Sequence, residues 1–133
     1  ADAVQVGTRF VASEESSGHI AFKNTVTSIG EGQTQLTLKE LAPVRVIKNE
    51  FFNQIQDAYA HGVSREQLSA LLGRGRAKKG MFEGNLEEGE LEIGQISGLV
   101  NQIKPAAEIV KEILEEFESA KSAINTDNRY KIG

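Results

Sequence analysis

With 133 residues, 39% of them hydrophobic and 26% charged, the chain has the balance of one ordinary folded domain, which excludes a disordered segment and a membrane bundle. A formal net charge of -4, from 15 Lys plus Arg against 19 Asp plus Glu, gives no general attraction for nucleic acid or anionic lipid, so neither is an expected partner. The absence of cysteine removes disulfides, thiolate metal sites and a cysteine nucleophile, and no apolar run approaches the roughly 18 residues of a membrane span; the cytoplasm is the expected compartment.

The chain opens ADAVQVGTRFV, and Ala3 to Val6 read as a strand sealed on both faces, the kind found in parallel sheets. Such a strand needs neighbours that the remaining sequence does not supply, so the chain is expected to start inside a larger fold. After Gly7 and Thr8, Ser13 is the expected N-cap of a helix whose first turn carries Glu14 and Glu15, where carboxylates favour the positive end. Phe22, Val26 and Ile29 recur at helical spacing until Gly30 and Gly32 stop the run.

Thr34 to Leu38 alternates as TQLTL, which suits a short extended segment or a loop. Pro43 then opens an expected helix in which Val46, Ile47, Phe51, Ile55 and Tyr59 trace one face before Gly62 ends it. Ser64 and Gln67 have the spacing of a capping box for a short helix through Leu68, Leu71 and Leu72, closed by Gly73.

The stretch GRGRAKKGMFEGNLEEGELEIGQ reads as one helix from Arg76 to Gly84 and, with Asn85 as N-cap and Glu88 three residues on, a second from Leu86 to about Ile103. Gly80 and Gly84, and Gly94 and Gly98, then lie on single helix faces. Each internal glycine costs roughly 1 kcal/mol relative to Ala, so the bare positions are expected to admit another backbone or a flat ligand. The last helix starts at Pro105, with Ile109, Val110, Ile113, Leu114 and Phe117 as its apolar stripe; after Asn125 the tail NTDNRYKIG reads as frayed. The sum is one strand and about six helices, without internal repeats.

Most chemical readings fail on spacing. Gly75 to Met81 has the glycine spacing of a P-loop but lacks the Lys and hydroxyl that contact phosphate and magnesium. Arg74, Arg76, Lys78 and Lys79, followed by Glu83, Glu87, Glu88, Glu90 and Glu92, are expected to form a mutually paired, solvated surface. The acidic run lacks the order of a calcium loop. His19 and His61 make no metal motif and are expected on the surface or satisfied locally. One local pattern has a mechanism: an extended segment ending Gln5-Val6-Gly7-Thr8 before a helix offers amides, a bare glycine and a hydroxyl where barrel enzymes commonly hold phosphate. A tight strand exit with a structural glycine explains the same residues equally well.

Two blocks, ADAVQVGTRFVASEES and GRGRAKKGMFEGNLEEGELEIGQISGLV, resemble the C-terminal part of the flavin-dependent family that contains nitronate monooxygenases (formerly 2-nitropropane dioxygenases) and enoyl-acyl-carrier-protein reductase II. The resemblance covers nearly the whole chain and implies an α/β architecture: the C-terminal fragment of an FMN-dependent (β/α)8 TIM barrel, comprising the last strand, followed by a mostly α-helical segment. Residues 1–32 would form the last βα unit, 33–125 a helical segment packed on the barrel, and 126–133 the tail. It also implies that Gln5, Val6, Gly7 and Thr8 bind the FMN phosphate, and that Gln95, within a segment similar to the reductases' GxMxGQxxG, lies near the flavin. The family's catalytic histidine has no counterpart here, so no catalytic residue and no metal ligand are assigned to this chain.

The activity implied is that of an FMN-dependent oxidoreductase, nearest to an enoyl-acyl-carrier-protein reductase of fatty acid synthesis that uses NAD(P)H. The alternative within the family is oxidation of nitronates by dioxygen. Its partners would be the N-terminal barrel portion, an acyl-thioester or nitronate substrate and, since family members often form dimers, a second copy. The fragment alone is expected to be inactive. A reading of another class is a non-catalytic helical interaction module, which would be colourless and would fold cooperatively alone.

Overall fold

The computed structural model describes residues 3–126. The expected strand Ala3–Val6 does not form: residues 3–7 are exposed and carry no sheet pairing among the described residues, and Val4 is 81% accessible. A strand is defined by its neighbour's hydrogen bonds, and none reaches this segment. Gly7 instead caps a one-turn helix, α1 (Thr8–Val11).

Ser13 is not the N-cap expected of it. It is buried, and its hydroxyl donates to the Phe10 carbonyl at 2.8 Å. The longer helix begins later, as α2 (Ile20–Ser28), where the ring Nδ1 of His19 accepts from the Ala21 amide at 3.1 Å. Phe22 and Val26 point from it into the core as expected. Lys23 is buried on the same helix, and its ammonium donates to the carbonyls of Ser13 (2.7 Å) and Glu14 (3.0 Å), tying the turn before α2 to the helix.

The alternating run is a strand, β1 (Thr34–Thr37). Its antiparallel partner is β2 (Val44–Ile47), with Thr34 opposite Ile47 and Thr37 opposite Val44. That corrects the helix expected from Pro43: VRVI is β-branched at three of its four positions, and branched side chains pack well on a pleated surface. A third stretch extends the hairpin, since the Ile47 amide donates to the Leu91 carbonyl (2.9 Å) and the Ile93 amide to the Arg45 carbonyl (3.0 Å). The helix proper is α3 (Glu50–Ala60), capped by Asn49, whose Oδ1 accepts from the Phe52 amide at 2.9 Å. The capping box of Ser64 and Gln67 is present and starts α4 (Arg65–Leu72), which Gly73 ends at positive φ.

Beyond α4 the two expected helices reduce to one short helical stretch. Arg76 to Phe82 is helical, ending in a π turn over Lys78–Phe82, but no helix spans Leu86–Ile103. Asn85 still accepts from the Glu88 amide (2.9 Å), capping a single turn. The chain then runs through the sheet extension at Leu91–Ile93 and a one-turn 3-10 helix, Gln95–Leu99. The bare glycines do admit close neighbours, though by tertiary crossings rather than helix faces. Gly80 and Gly89 cross so closely that a Cβ on Gly89 would lie 2.1 Å from the Gly80 Cα, while Gly98 faces the Gly30 backbone and Gly84 the His19 ring.

The last helix, α5 (Ala106–Thr126), is anchored at its start, where the Ala106 amide donates to Glu15 and Ile109 is fully buried. Its expected apolar stripe is only half used, because Val110, Leu114 and Phe117 are exposed. The expected tail falls at Asn125 and Thr126, which are helical, and at residues 127–133, which lie outside the described residues. Two apolar clusters result. One joins Ala12, Phe22 and Val26 to Ile47, Leu91, Ile93 and Val100; the other joins Leu38 to Phe51, Ile55 and Leu68.

Candidate functional site

The residues singled out near the N-terminus sit where three segments meet. Gln5 and Val6 are exposed and extended; Gly7 and Thr8 begin α1. A Cβ placed on Gly7 would find nothing within 4 Å, so this turn faces open space. The Thr8 hydroxyl oxygen accepts from the Gly94 amide at 3.1 Å, across 86 positions of sequence. Gly94 follows the sheet extension Leu91–Ile93, and Gln95 follows Gly94, so β2 carries both next to the Gly7–Thr8 turn.

Gln95 is exposed and borders a cavity of about 530 Å³ together with Glu31, Thr34, Arg45 and Leu99. Gly7, Thr8 and Gly94 border a separate groove of about 400 Å³, and Arg45 lines it too. Arg45 therefore links the two, with its guanidinium donating to the Thr34 carbonyl (3.3 Å) and hydroxyl (3.2 Å). Sequence reading missed it; the available signal was a lone cation inside the apolar run VRVI. The structure thus brings Gly7, Thr8 and the Gly94–Gln95 step together and leaves Gln5 and Val6 as an open edge.

These residues fit a small anionic group. The turn offers a hydroxyl and unobstructed backbone beside Gly7; Arg45 and Glu92 line the same groove, with the Arg45 guanidinium held at Thr34. No set of three or more His, Asp or Glu side chains is arranged for a metal ion among the described residues. Among those residues, too, no helix is long and apolar enough to cross a membrane.

The expected pairing of the basic and acidic halves of the glycine-rich stretch holds for two of its four cations, Lys78 and Lys79, while Glu90 is buried rather than solvated. Lys78 meets Glu83 at 3.2 Å and Lys79 bonds Glu88, whose carboxyl that bond holds below its ordinary value. Arg76 has a different task. Its guanidinium donates to the carbonyls of Leu71 (3.2 Å), Leu72 (3.1 Å) and Glu88 (2.9 Å) and lies 4.5 Å above the Phe51 ring, closing the C-terminus of α4. Glu90 is buried nearby, and desolvation, followed by the like charge of Glu92, pushes its carboxyl up to about 7 against the pull of Arg76.

The structure is thus an α/β fragment in which the open Gly7–Thr8 turn, Gly94 and Arg45 border one groove. The chain belongs to the nitronate monooxygenase family, whose model matches residues 1–116. Among solved structures, it is similar to FabK from Thermotoga maritima, with 35% identity and a TM-score of 0.85 over 94% of this chain. A methionine-to-alanine mutant of that protein matches with 33% identity and a TM-score of 0.77, again over 94% of this chain. The chain spans 40% and 36% of the lengths of those two structures. The family is one of flavin-dependent oxidoreductases.

Proposed function

We propose that the chain is the C-terminal part of an FMN-dependent (β/α)8-barrel oxidoreductase, acting as an NAD(P)H-dependent enoyl-acyl-carrier-protein reductase. The observation that carries the reading is the likeness to FabK, an enoyl-acyl-carrier-protein reductase II, at 35% identity over 94% of this chain. In this reading Gln5, Val6, Gly7 and Thr8 hold the phosphate end of FMN, with the Thr8 hydroxyl donating to a phosphate oxygen. Gln95 borders the neighbouring cavity, where it would stand beside the flavin or its substrate. When bound, FMN supplies the hydride carrier between the nicotinamide and the enoyl thioester; this chain's part is to seat the cofactor and to pack against the rest of the barrel. Val4, Val6, Ile96 and Leu99, all exposed here, form the apolar surface for that packing. The reading also expects a soluble enzyme of the cytoplasm, with homodimers a further expectation from the family.

The complete protein carrying this chain tests the proposal. It should purify yellow, release FMN on denaturation, and oxidise NADH or NADPH when given an enoyl thioester. Dioxygen consumption with a nitronate, and no enoyl turnover, would assign it to the family's other activity, which the name of the matching model favours. A colourless, flavin-free protein that fails to take up FMN would sink the flavoenzyme reading and leave the helical interaction module.

A further inference from the structure

Gly94 has ordinary extended backbone angles, φ -73 and ψ 160, so nothing in its conformation calls for glycine. The space does. A Cβ at this position would lie 2.4 Å from the Thr8 hydroxyl oxygen, and among the described residues beyond its chain neighbours the only other atom within 4 Å is the Thr8 Cβ, at 3.7 Å. The one neighbour that excludes a side chain at position 94 is thus the oxygen to which the Gly94 amide donates.

The consequence falls on the hydroxyl's own proton. A threonine hydroxyl has one donor and two acceptor lone pairs. The Gly94 amide occupies a lone pair, and among the described residues the Thr8 hydroxyl makes no other hydrogen bond, while α1 is capped by Gly7 without side-chain help. An oxygen that accepts from an amide is polarised to donate more strongly. The hydroxyl proton therefore remains for a group in the open space beside Gly7.

We infer that Gly94 is a positioning residue: its bare amide fixes the Thr8 hydroxyl so that it donates to a phosphate oxygen of the cofactor. The inference rests on the FMN reading above, and it gives the glycine-rich segment a task in cofactor seating that direct contact with the flavin does not require. Ile93, whose amide donates to the Arg45 carbonyl, ties Gly94 to β2, so the sheet sets where the hydroxyl stands.

The test is a double-mutant cycle on the complete protein, stripped of cofactor and titrated with FMN and, separately, with riboflavin, which lacks the phosphate. Thr8→Ala and Gly94→Ala should each weaken FMN binding by about tenfold or more, the range for losing a hydrogen bond to a charged group, and leave riboflavin binding unchanged. Thr8→Ser, which keeps the hydroxyl, should bind FMN within about threefold of the parent, well short of the loss of a charged hydrogen bond. Gly94→Ala should cost little more once Thr8 is alanine, because the oxygen it strikes has gone and the next atom is 3.7 Å away. Equal losses for FMN and riboflavin, or strictly additive losses in the cycle, would overturn the positioning role while leaving the FMN reading standing. A parent protein that binds neither ligand would overturn both.

Discussion

The crossing of Gly80 and Gly89 makes a quantitative demand on the fold, and Gly89→Ala is the sharpest way to test it. The added methyl carbon would stand 2.1 Å from the Gly80 Cα, 2.4 Å from the Gly80 nitrogen and 2.5 Å from the Asn85 carbonyl oxygen. Comfortable carbon contacts begin near 3.5 Å, so the two backbones would have to part by roughly 1.5 Å. All three atoms belong to main chain and none can rotate aside. Moving Gly89 also strains the Asn49 side chain, whose Nδ2 donates to the carbonyls of Leu86 (2.7 Å) and Gly89 (2.8 Å), and the Glu90 backbone amide, which donates to the Arg76 carbonyl at 3.0 Å. Overpacking alone costs about 1–3 kcal/mol, and one buried hydrogen bond lost adds about 1 kcal/mol, giving about 2–4 kcal/mol. Urea denaturation of the complete protein followed by far-ultraviolet circular dichroism measures it. Gly30→Ala is the control, since a Cβ there meets nothing within 4 Å. If Gly89→Ala stayed within about 0.5 kcal/mol of the control, as harmless surface changes do, the crossing would have room to spare and the reasoning would fail.

Three further outcomes are expected. Lys23→Met should destabilise the protein by about 2 kcal/mol in the same assay, because the carbonyls of Ser13 and Glu14 lose a buried donor; an unchanged midpoint would refute it. Glu90, with a carboxyl raised from 4.5 to about 7 in the folded chain, stabilises the fold below pH 4.5, and that contribution is lost as pH rises through 7. The shift corresponds to about 3 kcal/mol at most, and partial solvation reduces it to about 1–2 kcal/mol. The parent should therefore lose more stability between pH 5 and pH 8 than Glu90→Gln does, and equal losses would contradict the burial. Gly7→Asp should fold normally, since its side chain enters open space, yet bind FMN at least about tenfold more weakly through repulsion of the phosphate; fluorescence titration of the cofactor-free protein decides it, with unchanged affinity removing the assigned seat.

What could be read in advance followed from local chemistry. The capping box at Ser64, the alternation of Thr34–Thr37, the face of Phe51, Ile55 and Tyr59, and the pairing of lysines with glutamates around Gly80 all depend on residues near one another in sequence. The errors came where distant segments decide. Val46 and Ile47 fit a helical face and a strand equally well, and only the hairpin partner and the Asn49 cap separate the two. Leu86 to Ile103 has helical signals, yet Gly89, Gly94 and Gly98 serve crossings with Gly80, Thr8 and Gly30 that no local pattern reveals. Ser13 looks like a cap because of the acids after it, but its hydroxyl turns back to Phe10. For the candidate site, the family resemblance pointed to Gly7, Thr8 and Gln95, whereas Arg45 and the bond from Gly94 to Thr8 emerged only from the folded arrangement.

The bond between Thr8 and Gly94 closes a loop of 86 residues, and a second tie closes a slightly longer span, where the Glu14 amide donates to the Lys104 carbonyl at 3.0 Å. The first cannot form until synthesis has passed Gly94 and the second until it has passed Lys104, and each carries the entropic toll of a long closure. On the ribosome, α2 and the β1–β2 hairpin can form from local pairs while the Gly7–Thr8 turn still waits for its partner. The Gly7–Thr8 turn is therefore among the last parts of this chain to reach its final arrangement. A chain released before Gly94 would keep its early elements and lack the bond that fixes the Thr8 hydroxyl.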